Sequence, residues 1–335
     1  MSADKRIQTM QGLAQQLGLS RQTLSKYFNN PDSVSAKTRA QIEAAVEGSG
    51  FRPNLFAANL KRRQSRVIGV IVPSTVDPFF MQLAHQISRQ AELSGYFALI
   101  LSSDGKAESE AHAAQQLQSL NIAGALVAPL GKTAVNPAVL RLAEHIPLIY
   151  IDTPPLYDAA FVGTDNYQSI DLLVEYFCQH YPAPSFLSMP AINQNAALRL
   201  AAYEEAMMRR HEAAKVITIS EEEWQFEAYG YAYSRRWLKQ KGEKSLLCAN
   251  DRLAFGALLA AWEAGERAGE AGLYIAGHDD HPLSAYSCPP LTTAAQNSDL
   301  LAQSAIGSLL KQIEEPQSRS EQIYLPAQLI LRRSA

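Results

Sequence analysis

Three cysteines in 335 residues, Cys178, Cys248 and Cys288, are too few and too widely spaced for a disulfide framework, and none forms a C-x-x-C zinc pair. They are expected to be buried thiols in a reducing compartment. No apolar run reaches the ~20 residues that a membrane helix needs. The start MSADKRIQ is polar and has no hydrophobic signal core, so the expected location is the cytoplasm, without membrane contact. Also missing are G-x-S-x-G, H-E-x-x-H and G-x-G-x-x-G, the frames for a serine hydrolase, a zinc protease and a dinucleotide enzyme. Gly131-Lys132-Thr133 ends like a phosphate-binding loop, but Gly124 is too far upstream and Pro137 follows closely. The seven histidines have no ligand spacing. The chain is therefore expected not to be an enzyme, with no catalytic residue, no cofactor and no metal. No short-period repeat or low-complexity tract is present.

What is present divides unevenly. Residues 1–66 carry eleven Lys and Arg against four Asp and Glu, a surplus of seven, while the whole chain is at −3, which leaves −10 for the remainder. An overall pI near 6.2 thus hides a basic head on an acidic body, and only the head gains affinity by releasing counterions from phosphate. The length suggests about two domains, and 47% hydrophobic residues suffice for a buried core.

In the head, Met10, Leu13, Ala14 and Leu17 share one helical face, Gly18-Leu19 breaks it, and Leu24, Tyr27 and Phe28 resume toward the same core. Ser20 is placed to cap the second helix. Arg21, Gln22 and Lys26 then point away from the apolar face. In a helix-turn-helix the start of the second helix enters the major groove. There Arg and Lys donate to guanine O6 and N7, and Gln pairs with adenine, whereas the alternative for such a trio is an ordinary solvated face. Ser35 is placed to open a third helix with Ile42, Ala45 and Val46 as its buried stripe. After Arg52-Pro53-Asn54, the segment LFAANL has small Ala57 and Ala58 and ends in Leu60. So short a helix is marginal alone. It needs a partner chain or DNA to fold, and Leu60 would serve as a minor-groove wedge.

These motifs, Leu19-Ser20-x-x-Thr23-Leu24-Ser25, Val34-Ser35-x-x-Thr38-Arg39 and Arg52-Pro53-Asn54-x-x-Ala57-x-x-Leu60, resemble the lactose-repressor (LacI/GalR) family. The likeness continues through Val67-Ile68-Gly69-Val70, Asp77-Pro78-Phe79-Phe80, Ala249-Asn250-Asp251, Gly277-His278-Asp279-Asp280 and Pro289-Pro290-Leu291-Thr292-Thr293. It implies DNA contacts from Thr9, Ser20, Arg21, Gln22, Thr23 and Ser25, and from Lys26, Asn29, Arg39, Asn54, Ala57 and Leu60. Some positions depart from the pattern. Gly12 stands where an acidic residue is usual, at a cost of about 1 kcal/mol relative to Ala. Lys26 replaces a common arginine, Ala202 a glycine, Ser169-Ile170 a Gly-rich pair, and His278 an aromatic. Packing is the expected role of His278, ahead of pH sensing.

From Val67 onward, runs such as VIGVIV, FALIL, GALVA, LIYI and FVG alternate with helical stretches such as 79–95 and 108–121. A second set, SFLSM, KVITIS, SLLCA, LYIAG and LTTAA, interleaves with helices near 194–210, 225–241 and 252–265. This βαβ alternation implies parallel sheets in two lobes with a cleft between them. The expected fold is α/β: a three-helix helix-turn-helix domain (1–52), a hinge helix and linker (53–66), and a two-lobed periplasmic-binding-protein-like core (67–335). The resemblance implies three crossings between lobes, with about 67–164 and 297–323 in the first and about 165–296 and 324–335 in the second.

Ligands of such sheets bind beyond the strand C-termini. Asp152, Asn250 and Asp279 follow strands there, and each suits vicinal hydroxyls, although a strand-end cap is the alternative for each. Arg199 is the match for the family's effector-binding arginine. Trp224 and Phe226 are candidates for an apolar wall, and Phe79 and Gln296 complete the expected effector set. The resemblance implies a homodimeric regulator, usually a repressor, that binds double-stranded operator DNA and a sugar, sugar phosphate or polyol. A carbohydrate-binding protein of the periplasmic type is the rival, since it shares the core, but it has no use for residues 9–60. The absence of a leucine heptad after Pro326 favours a dimer over a tetramer.

Overall fold

Three short helices form in the head where the sequence supplies caps and stops. The computed structural model describes residues 9–29, 31–49, 51, 65–131, 133–221, 223–240, 242, 244–269, 272–317 and 320–335. Within it α1 (Met10–Leu17) starts at Thr9, whose hydroxyl accepts from the Gly12 N–H at 3.1 Å, and stops at Gly18. Gly18 has φ +64, and a Cβ there would meet nothing within 4 Å, so backbone handedness rather than crowding calls for glycine. The Ser20 hydroxyl accepts from the Thr23 N–H at 3.0 Å and starts α2 (Arg21–Asn29). After a 3-10 turn at Pro31–Ser33, Ser35 caps α3 (Ala36–Ser49) through the Thr38 N–H. Leu13, Leu24 and Ile42 are fully buried against Ala14 and Phe51, each contributing about 1.5–3 kcal/mol of apolar burial. The expected hinge residues Asn54, Ala57 and Leu60 lie outside the described residues.

Residues 1–65 and 66–335 are separate compact units. The second contains two six-stranded sheets. In the first sheet the order is β11-β5-β4-β3-β1-β2: β1 (Val67–Val72), β2 (Phe97–Ser102), β3 (Gly124–Val127), β4 (Leu148–Ile151), β5 (Phe161–Thr164) and β11 (Gln322–Leu325). The second has the order β12-β10-β9-β8-β6-β7: β6 (Ser185–Leu187), β7 (Val216–Ile217), β8 (Ser245–Cys248), β9 (Tyr274–Asp279), β10 (Thr292–Ala295) and β12 (Gln328–Ile330). Every pairing is parallel except β10 with β12. Strands buried on both faces, such as β1, β3 and β4, are continuous apolar runs because helices cover both sides. Those of the first lobe are α4 (Pro78–Leu93), α5 (Ala107–Ser119), α6 (Pro137–His145) and α11 (Ser298–Glu314). The second lobe has α7 (Asn166–His180), α8 (Gln194–Arg209), α9 (Phe226–Trp237) and α10 (Asp251–Glu263).

The chain therefore crosses between sheets after β5, after β10 and after β11. The last crossing falls at 326–327, slightly beyond the boundary expected at 323–324, because β11 pairs with β5 through Leu325. The three crossings are tied together. The Thr164 hydroxyl donates to Gln296 Oε1 at 2.6 Å, the Asp165 N–H to the Leu325 carbonyl at 2.9 Å, and the Gln168 amide holds both the N–H and the carbonyl of Ala327.

Not all cysteines are buried as expected. Cys248, at the end of β8, is; Cys178 is half-buried and Cys288 is exposed, since it lies in the loop ahead of Pro289 rather than in a sheet. KVITIS also shortens to the two residues of β7, an edge strand with a single neighbour.

Two glycines set the spacing of α9 and α10, whose N-termini carry residues of the cleft. A Cβ at Gly230 would stand 2.1 Å from the Leu253 carbonyl oxygen, and one at Gly256 2.2 Å from that of Glu227. Neither backbone atom can rotate away. Gly256→Ala is expected to lower unfolding stability by about 1–3 kcal/mol through overpacking, read from urea denaturation of the full chain. Stability equal to the wild type would show that the helices part at no cost.

Candidate functional site

Strand C-termini and helix N-termini of both lobes converge on one cleft. Asp77, Phe79, Phe80 and Asp152 line it from the first lobe. From the second come Asn193, Asn195, Arg199, Trp224, Phe226, Asn250, Arg252 and Asp279, with Gln296 at a crossing. All eight residues expected to meet an effector, Phe79, Asp152, Arg199, Trp224, Phe226, Asn250, Asp279 and Gln296, thus lie along one surface. Several also do structural work. Asn250 Oδ1 caps α10 by accepting from the Leu253 N–H at 2.8 Å, Phe226 is buried in the core of the second lobe and Phe79 in that of the first.

The cleft floor is an ion pair, Arg199 Nη2 to Asp279 Oδ1 at 3.2 Å. Arg199 is buried and spends its other groups on neutral acceptors: Nε donates to Asn166 Oδ1 at 2.9 Å and Nη1 to the Ala249 carbonyl at 2.7 Å. Asp279 Oδ1 also receives Gln296 Nε2 at 2.8 Å and His278 Nδ1 at 2.9 Å. Every one of these contacts is made to Oδ1, so among the described residues Oδ2 has no protein donor. Asn166 Nδ2 continues to Asn195, whose Nδ2 donates to Asp152 Oδ2 at 3.1 Å across the cleft. Asp152 Oδ2 receives the Thr153 hydroxyl too, and Oδ1 is left without a protein donor among the described residues. Asp152 (φ +61) and Asp279 (φ +124) both hold backbone conformations that side-chain-bearing residues avoid. Such strain persists where the surroundings over-determine it, often at binding sites.

Burial and neighbouring charge set the protonation of these groups. For Asp279, burial favours the neutral acid, but Arg199, His278 and Gln296 outweigh it and hold the carboxyl below its ordinary range. Asp152 is buried without a cation in contact and is pushed up to about 7, Arg199 offsetting only part of the desolvation. Asp77 is raised, again by burial first, despite its pair with Arg252. Burial, then the charge of Arg199, lowers His278 to about 4, so the imidazole is neutral. An ionised Asp279 can only accept; Nδ1 therefore carries the proton, and Nε2 accepts from the Ser169 hydroxyl at 2.8 Å. The two departures at 169 and 278 are thus partners: a histidine in place of an aromatic needs a hydroxyl where a glycine would leave Nε2 unsatisfied. Packing with a fixed tautomer, as expected, describes His278.

A second pair bridges the mouth. Arg252 Nη1 donates to Asp77 Oδ2 in the other lobe at 2.8 Å, while Nε and Nη2 grip Glu227 at 2.6 and 2.7 Å. Beside it Trp224 packs against Phe80 of the first lobe and Phe226, with its indole against Gly105, where a Cβ would stand 2.3 Å from Cδ1. Sequence reasoning missed Asp77, Asn193, Asn195 and Arg252. Usable signals existed: Asp77 precedes Pro78 as a helix cap, Asn195 lies one turn before Arg199, and Arg252 two residues after Asn250.

In the head, Arg21 and Gln22 on the first turn of α2 are exposed, as are Thr9 and Ser20. Lys26 is exposed too, Thr23 and Ser25 are half-buried, and Asn29 closes the helix. Arg39 is also half-buried and is paired with Asp32. Among the described residues no cluster of three or more His, Cys, Asp or Glu is placed to hold a metal, and no helix is long and apolar enough to cross a membrane.

Residues 9–54 match the family described as bacterial regulatory proteins, lacI family, and residues 185–335 match the periplasmic binding protein-like domain. The lactose operon repressor of Escherichia coli (strain K12) is 28% identical over 334 residues, covering 97% of this chain and 90% of that protein. The ribose operon repressor of the same strain is 25% identical over 331 residues, covering 98% and 99%. A crystal structure of the Lac repressor dimer bound to operator and the anti-inducer ONPF superposes with a TM-score of 0.83 at 26% identity, covering 97% of this chain and 98% of that one.

The neutral His278 has a measurable signature. Between about pH 6.5 and 4 the unfolded chain takes up a proton at this position that the folded chain refuses, so its contribution to stability, full above 6.5, is lost on acidification through that window. His278→Gln should remove up to about 3 kcal/mol of this acid sensitivity, read as the difference in urea unfolding between the two proteins from pH 7.5 to 4. Parallel pH profiles would mean that the imidazole already titrates normally in the folded state.

Proposed function

This chain belongs to the lacI family of bacterial regulatory proteins, and we propose that it is an effector-controlled repressor of a carbohydrate-utilisation operon. The observation that carries the reading is the pairing, in one chain, of exposed Arg21 and Gln22 on the leading turn of a capped α2 with a two-lobed core whose polar cleft joins both sheets. Arg21 reads guanine and Gln22 adenine in the major groove. Ser20, Thr23, Ser25, Lys26 and Asn29 supply further groove and backbone contacts from the same helix, with Thr9 at the α1 cap. Arg39 serves phosphate once released from Asp32. Asn54, Ala57 and Leu60 form the hinge contact, with the leucine as a minor-groove wedge.

The operator is pseudo-palindromic because the protein acts as a dimer with one α2 per half-site. An apolar groove supports this. Leu259 and Trp262 on α10, with Leu283 and Tyr286 in the loop after β9, are all at least half exposed. They share one groove with Val76 of the first lobe. A patch of this kind suits a second copy. Covering it engages both lobes, so any lobe rotation alters the dimer. A sugar or sugar-like effector bound to Asp152, Asn250, Arg199, Asp279 and Gln296, beside Phe79, Trp224 and Phe226, would act by that route. It shifts the equilibrium only by its differential affinity for the two lobe arrangements, and operator DNA acts back on it equally.

In mobility-shift titrations against a randomised operator library, Arg21→Ala or Gln22→Ala should each relax discrimination at one or two base pairs by about 1–3 kcal/mol. A uniform loss over all sequences would reassign the side chain to phosphate, and a wild type without specific, salt-sensitive binding would remove the regulator reading. Leu259→Glu should sediment as a monomer and bind operator more weakly; an intact dimer would place the interface elsewhere.

A further inference from the structure

The charges of the cleft do not balance, and the imbalance bears on what enters it. Its two guanidinium groups are already matched. Arg199 faces Asp279, and Arg252 is held between Asp77 and Glu227. Asp152 is left over, fully enclosed, with only the Thr153 hydroxyl and the Asn195 amide as polar neighbours in contact. Behind Asp279 lies another buried carboxyl, Asp251, which takes the Ser284 and Thr293 hydroxyls and the His281 N–H. His278 brings no positive charge, as its burial keeps it neutral. Above about pH 7, where Asp152 is ionised, an incoming phosphate or carboxylate finds no free cation and meets uncancelled negative charge in a low-dielectric space, where repulsion is weakly screened.

The groups left unsatisfied are of another kind. Asp152 Oδ1 and Asp279 Oδ2 have no protein donor among the described residues, and Trp224, on the cleft wall, has a buried indole N–H with no acceptor. Two acceptors and one neutral donor beside the rings of Phe80, Trp224 and Phe226 fit hydroxyl groups, which donate and accept, on a ring with an apolar face. We propose that the cleft excludes anions: the effector is an uncharged, hydroxyl-bearing ring, and Asp152 is the residue that enforces the exclusion. This deepens the sensor reading above and rests on it. It removes sugar phosphates and sugar acids from the candidate effectors and leaves their uncharged parents.

The test is calorimetric titration of the full-length protein with a panel of neutral aldopentoses and aldohexoses, each paired with its phosphate and its uronic or aldonic acid. Binding is expected from uncharged members alone. In titrations at pH 8.5, where Asp152 is ionised, Asp152→Asn, checked for folding by thermal melting, should tighten the phosphate or acid of the bound sugar by about tenfold or more, the like charge having gone. A phosphate that binds the wild type as tightly as its parent sugar, and is lost in Asp279→Asn, overturns the exclusion while leaving the sugar-sensor reading intact. So does an Asp152→Asn protein that discriminates against anions as the wild type does. If no member of either half binds, the carbohydrate reading falls and the proposal with it.

Discussion

The contact between Arg199 and Asp279 is what the core is arranged around. A buried ion pair repays the cost of dehydration only when its remaining donors and acceptors are met. Here Asn166, the Ala249 carbonyl, Gln296 and His278 meet them. The partners are not scattered. Asn166 follows the first interlobe crossing, Gln296 stands at the second, and Gln296 is bound in turn to Thr164. The floor of the cleft and the hinge between lobes are therefore one hydrogen-bonded network.

That network also explains two unusual residues. His278 and Ser169 depart together from the pattern of the family because each satisfies the other, and the imidazole passes that order to Asp279 Oδ1. With one oxygen committed to three donors, the carboxylate is held in one orientation and its other oxygen is fixed in position. The left-handed backbones of Asp152 and Asp279 fit the same account, as strain retained by surroundings that allow no alternative.

Much of the site was legible because topology makes strand ends converge. Asp152, Asn250 and Asp279 could be placed by locating the ends of β4, β8 and β9, and Arg199 by its motif. Asn195 and Arg252 were not, since their importance lies in what they touch in the opposite lobe, Asp152 and Asp77, far away in sequence. Cys288 misled for a related reason: cysteine is usually buried, but burial depends on whether a neighbouring element covers the loop, and among the described residues none covers this one.

The sequence by itself determined the basic capped head, the alternation of apolar runs that makes two parallel sheets, and the family motifs, because caps, periodicity and local charge act over a few residues. Only the tertiary structure decided which charges are paired, which oxygens are left free and which residues bridge the lobes. Pairing is set by distances between segments that are remote in the chain, and desolvation by everything packed around them, so neither can be read from spacing.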